Sequence, residues 1–127
     1  MRVAYWRDGD CQQRAAASAS KAARLSQDKI TEIRALIVES RASIALQDFS
    51  RGEMLLTQAE LALKTQNAPT LQAEVSLAYS SMSFTLGKFE VSKTYAEQGL
   101  QNFPDNLDEG LRARLLRNLA RAQSKLR

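Results

Sequence analysis

The chain has no histidine, one cysteine, two prolines and five glycines in 127 residues, and aromatic side chains make up only 6% of it. Without histidine, and with Cys11 alone, neither the usual zinc ligand sets nor a Cys-His or Ser-His nucleophile can be assembled. A lone cysteine also excludes an internal disulfide and fits a reducing compartment. Gly9, Gly52, Gly87, Gly99 and Gly110 stand too far apart to form a phosphate-cradling loop. No stretch approaches the roughly 18 consecutive apolar residues of a membrane span. The opening "MRVAYWRDGD" lacks the apolar core of a signal peptide. The expectation is a cytoplasmic protein with no membrane contact, no cofactor and no bound metal.

What remains is rich in helix formers, with 25% charged residues, the composition of a soluble helical protein. The length fits one domain over 1–127 and can bury a core of its own. The net charge of +4 is unevenly spread. Arg112, Arg114, Arg117, Arg121, Lys125 and Arg127 fall in the last seventeen positions, which hold no acidic residue. The carboxylate pairs Asp8/Asp10 and Asp108/Glu109 sit in a turn and at a helix start, where solvation and capping account for them without acid–base catalysis. The chain reads as a non-enzyme.

Internal repetition gives the architecture. "TLGKFE" at 85–90 aligns with "ALQDFS" at 45–50, so that Gln47 matches Gly87. Gly9 upstream and Arg127 downstream continue the punctuation at spacings of 38, 40 and 40. A period near forty with a helix on either side of each break predicts stacked antiparallel hairpins. Asp28 is expected to cap a helix over "KITEIRALIVESRASIAL", Pro69 to open one at its first turn, and Asn106 with Glu109 to form a capping box before "GLRARLLRNLARAQSKL". The second helices of the hairpins fall at about 11–25, 49–64 and 89–103, the last stopped by Pro104. The fold predicted is all-α, with about six helices: a partial hairpin at 1–26, hairpins at 27–66 and 67–104, and a terminal helix at 106–127. Small residues recur in register: Ser40, Ser80 and Ala120 on first helices, Gly52 with Ser92 and Ala59 with Gly99 on second helices. Helices approach to about 8–10 Å only over small side chains.

These features resemble the tetratricopeptide repeat family. The nearest unit is "AEVSLAYSSMSFTLGKFEVSKTYAEQGLQNFPDN", residues 73–106, in which Tyr79, Ser80, Ser92, Gly99 and Pro104 fit the family's large, small and proline positions. Ser76, Ser83 and Ala96 depart from its bulkier preferences. In the weaker unit at 33–66, Leu36, Ser40, Gly52, Leu56 and Ala59 fit, whereas Glu39, Ser43 and Lys64 do not. The stretch "KTQNAPTLQ", which lengthens the period to forty, is similar to repeats in bacterial signalling proteins, notably the large LuxR-type transcription activators. The resemblance implies a right-handed α-solenoid whose first helices line a concave groove. Carried onto this chain, the groove positions are Arg34, Ile37, Arg41 and Ile44; Glu74, Leu77, Ser81, Phe84 and Thr85; and Arg114, Arg117, Asn118, Arg121 and Lys125.

The helical period supports the last set independently, because Arg114, Arg117, Arg121 and Lys125 are spaced 3, 4 and 4 and share one stripe. Leu111, Leu115, Ala122 and Leu126 form the opposing apolar stripe. Basic walls with apolar anchors between them suit a protein or peptide partner bearing carboxylates, which arginine grips with two parallel hydrogen bonds. The expected function is a protein-interaction module; the competing one is the effector-sensing segment of a bacterial transcription activator. Nucleic-acid binding ranks low, since no aromatic residues interleave with the arginines. Leu116 and Leu119 lie where a further helix would normally pack, so the sequence also raises self-association through open ends of the array, or a longer parent chain.

Overall fold

The computed structural model describes residues 18–102 and 108–127, and all regular structure among them is helical. Five helices follow in order: α1 (Ser18–Ala45), α2 (Phe49–Leu63), α3 (Pro69–Thr85), α4 (Phe89–Gln101) and α5 (Glu109–Lys125). None of the described helices is long and apolar enough to cross a membrane. The chain separates into two compact units, Met1–Thr31 and Glu32–Arg127. Of the first, the described residues belong to α1, where Thr31 Oγ1 donates back to the Gln27 carbonyl. The second holds the rest of α1 together with α2 to α5.

The break expected before Asp28 is absent, because Ser18–Ala45 is one helix. No glycine or proline interrupts it there, and an aspartate inside a helix costs less than about 1 kcal/mol. Continuing the hydrogen-bond ladder therefore outweighs the local capping preference. Of the helix predicted at 11–25, residues 18–25 form the start of α1, while 11–17, with Gly9 and Cys11, lie outside the described residues.

The two hairpin turns are conformational copies. Gln47 has φ of 66° and Gly87 φ of 80°, both left-handed. In each turn the same pair of carbonyls is satisfied: Gln47 N donates to Ile44 O and Asp48 N to Ser43 O, as Gly87 N does to Phe84 O and Lys88 N to Ser83 O. The next residues agree as well, Asp48 at φ −89°, ψ 76° and Lys88 at φ −91°, ψ 73°. Asp48 Oδ1 then accepts from Arg51 N at 3.3 Å and caps α2. Pro69 stands in the first turn of α3 as predicted. Asn106 and Pro104 lie outside the described residues; the cap of α5 is Asp108, which accepts from Gly110 N at 2.8 Å.

The small residues sit where helices cross. A Cβ built on Gly52 would lie 2.8 Å from Ile44 Cγ1 and 3.5 Å from the Ser40 carbonyl. At the equivalent crossing Ser80 and Ser92 are fully buried, and each hydroxyl donates to the other's carbonyl, at 3.0 and 2.8 Å. Buried hydroxyls are tolerated only with such partners. Gly99 faces Leu115 and Ser76, and a Cβ there would fall 2.7 Å from Leu115 Cδ2. Helix α3 packs against α2, α4 and α5. Its buried residues run almost round its circumference, from Leu71 and Ala73 to Met82 and Ser83, as expected for a helix enclosed by neighbours. Ala73, Leu77, Leu111 and Leu115 form a core cluster, with Leu100 against it.

Candidate functional site

Three helices contribute to one cavity of about 230 Å³. From α1 come Arg41, Ile44 and Ala45, from α3 Glu74, Leu77, Ala78 and Ser81, and from α5 Arg114 and Arg117. The helical period sets this up, since 74, 77, 78 and 81 fall on one face, as do 114 and 117. Leu77 and Ala78 are buried and form an apolar floor, whereas the three arginines are exposed around it. Their guanidinium groups stand against a single carboxylate, Glu74, so the lining carries a local charge of +2. Among the described residues no carboxylate lies within 4.0 Å of Arg41, Arg114 or Arg117, whereas Arg51 pairs with Glu39 at 3.1 Å. Among the described residues, then, none of the three guanidinium groups is held in an ion pair.

Of the groove positions expected from the sequence, Arg41, Ile44, Leu77, Ser81, Arg114 and Arg117 meet at this cavity, with Glu74 beside them. The others go elsewhere. Arg34 is exposed but does not line the cavity. Ile37 is only 1% exposed and belongs to the core with Ile33, its neighbour one turn back. Asn118, 4% exposed, lies on the buried side of α5 together with Leu115 and Ala122. Its Nδ2 donates to Ser81 Oγ at 3.0 Å and approaches Ser80 Oγ at 3.4 Å. Asn118 thus orients a cavity-lining hydroxyl from beneath. Leu126, expected in the apolar stripe, is 42% exposed.

The basic stripe of α5 divides between two environments. Beyond Arg117, the Arg121 guanidinium carbon lies 4.3 Å from the Phe84 ring centroid, and Lys125 Nζ 6.0 Å from that of Phe89. The two rings meet edge to face at 5.2 Å. Cation–π contacts at exposed sites are worth about 0.5–1 kcal/mol each, so Arg121 and Lys125 have a packing role. Thr85 is exposed and outside the cavity. Sequence reasoning missed Ala45 and Ala78 because small wall residues carry no chemical signature; their register beside Ile44 and Leu77 was the available signal.

A second depression, about 520 Å³, is lined by α2, α3 and α4. Its Glu60 and Lys64 offset one another, and Gln72, Gln98 and Asn102 supply neutral amides. Nearby, Tyr79 stacks on Tyr95 at 4.8 Å and donates to Glu60 Oε1 at 3.1 Å. Burial, with the Glu60 carboxylate adding to it, pushes the Tyr79 hydroxyl up to about 12. That cluster is a structural tie between α2, α3 and α4; the charges beside it, Glu53 and Glu60 acting on Tyr95 with Glu90 near them, are carboxylates, opposite in sign to the arginines of the first cavity.

No protein-family model matches the chain, and no curated protein or solved structure is detectably similar to it.

Proposed function

We propose that this protein is a non-enzymatic interaction module, a tetratricopeptide-like right-handed solenoid that takes an acidic or carboxylate-bearing peptide in the groove of its first helices. The observation that carries the reading is the ring of Arg41, Arg114 and Arg117 around the apolar floor of Leu77 and Ala78. An arginine fork grips a carboxylate with two parallel charge-assisted hydrogen bonds. Three such forks beside one apolar recess favour a ligand with carboxylates flanking an apolar side chain. Repetition of the turn at Gln47 and Gly87, and of the crossings at Ser40/Gly52 and Ser80/Ser92, supports the solenoid.

The cavity volume of about 230 Å³ lies below the roughly 300–1,000 Å³ of typical small-molecule pockets. It suits one anchoring side chain of a peptide; the second reading, a small carboxylate effector of a transcription activator, would have to fill the same recess. Selection of peptides from a random library on the immobilised full chain tests the proposal. Enriched sequences should be acidic around an apolar residue. Arg114→Glu with Arg117→Glu should weaken their binding by at least about tenfold while leaving the helical circular dichroism unchanged. Enrichment of basic or wholly apolar peptides, or undiminished affinity in the double variant, would refute it; saturable binding only of small carboxylates would favour the effector reading.

A further inference from the structure

The cavity lining holds one hydroxyl, that of Ser81, and its neighbours decide which way its proton is directed. The order begins at the crossing of α3 and α4. Ser80 Oγ donates to the Ser92 carbonyl at 3.0 Å, and Ser92 Oγ to the Ser80 carbonyl at 2.8 Å. A hydroxyl has one proton and two lone pairs, so both protons are committed within this pair, and Ser80 Oγ accepts from any further neighbour. That neighbour is the side-chain amide of Asn118 on α5, 3.4 Å away and 4% exposed. Asn118 therefore presents its Nδ2 protons; the flipped amide would set Oδ1 against an oxygen whose proton is already spent. The other Nδ2 proton goes to Ser81 Oγ at 3.0 Å. Ser81 Oγ is thus an acceptor within the protein, and among the described residues no acceptor takes its own proton.

We infer that Ser81 is a specificity-determining donor of the recess: Asn118 holds its oxygen from beneath, and its hydroxyl proton is kept for an oxygen acceptor of the ligand. This role presupposes the carboxylate site proposed above and adds a hydrogen-bond requirement to it. Arg41, Arg114 and Arg117 also only donate, and Glu74 is the one side chain of the lining that only accepts. A carboxylate has about four lone-pair sites, so one such group can take an arginine fork and the Ser81 hydroxyl together. A ligand N–H in that place would leave the Ser81 proton unpaired. The crossing of α3 with α4 and the packing of α5 on α3 are in this way joined to what the recess selects.

Two experiments test this. On the isotopically labelled full chain without ligand, the Asn118 Nδ2 protons should be protected from solvent exchange and show cross-relaxation to the Hβ protons of both Ser80 and Ser81. Rapid exchange, or no cross-relaxation to Ser81, would overturn the assignment whatever the cavity binds, and this measurement needs no variant. The second uses a fluorescein-labelled peptide carrying glutamates around a leucine. Ser81→Ala should lower its affinity at least about fivefold, and Ser81→Thr, which keeps a hydroxyl, should bring it back to within about twofold. Asn118→Ala lets the Ser81 hydroxyl turn to the Leu77 carbonyl one turn back. It should weaken binding about threefold in the native background and no further in Ser81→Ala. Equal losses in both backgrounds would mean that Asn118 acts by packing alone. Unchanged affinity in Ser81→Ala would remove Ser81 as a donor while leaving the arginine site standing; a native chain that does not bind the peptide would sink both.

Discussion

Replacing Gln47 with glycine should make the protein more stable, against the usual expectation for a glycine substitution. Gln47 is a non-glycine residue at φ of 66°, and its side chain is exposed. The left-handed conformation costs an L-residue about 1–2 kcal/mol. Glycine removes that cost but gives back about 0.5–1 kcal/mol through its greater freedom in the unfolded chain. The expected net gain is about 0.5–1 kcal/mol. Gly87 is the control in the opposite sense. A Cβ there would meet nothing within 4 Å, so Gly87→Ala tests the backbone conformation alone, at φ of 80°. It should destabilise by about 1 kcal/mol. Urea unfolding reads both. With a slope of about 1–2 kcal/mol per molar, the midpoints should move by about 0.5 M in opposite directions at unchanged slope. A lower midpoint for Gln47→Gly, or no change for Gly87→Ala, would refute the claim that the two turns share one conformation.

Gly99→Ala should destabilise by about 1–2 kcal/mol, because overpacking against fully buried Leu115 exceeds the gain in helix propensity. Gly52→Ala should cost less, since the half-buried Ile44 can turn aside; comparison of their denaturation midpoints checks the order. Raising the pH should weaken the fold between about 10 and 12: Tyr79 ionises near 10 when unfolded but near 12 in the native state, so the unfolded chain releases its proton first. Tyr79→Phe should flatten the pH dependence of thermal unfolding over that interval.

The forty-residue register was legible because its markers are local. Gly87 declares a turn, the aligned Gln47 inherits it, and the small residues at 40, 52, 80, 92 and 99 fall at crossings. The boundary before Asp28 was misread because a capping residue is a signal only if the preceding backbone leaves the helix, and nothing in "LSQDKI" forces it to. Ile37 and Asn118 were misplaced for another reason. Both sit one helical step from true cavity positions, and which step faces inward depends on the angle at which helices cross. That angle is a tertiary quantity. Likewise, the arginine stripe looks uniform in sequence, but Phe84 and Phe89 lie beneath only its second half.

Arg41, Arg114 and Arg117 line one recess, and the proposed function requires that this recess take a carboxylate. Amide chemical shifts of the isotopically labelled full chain, followed during titration with a short peptide carrying glutamates around a leucine, test it most directly. Saturable shifts should cluster at Arg41, Ile44, Leu77, Ser81, Arg114 and Arg117, and should disappear when the glutamates are replaced by glutamine. Shifts centred instead on the second depression at Glu60 and Gln98, or a response that survives the loss of peptide charge, would contradict it.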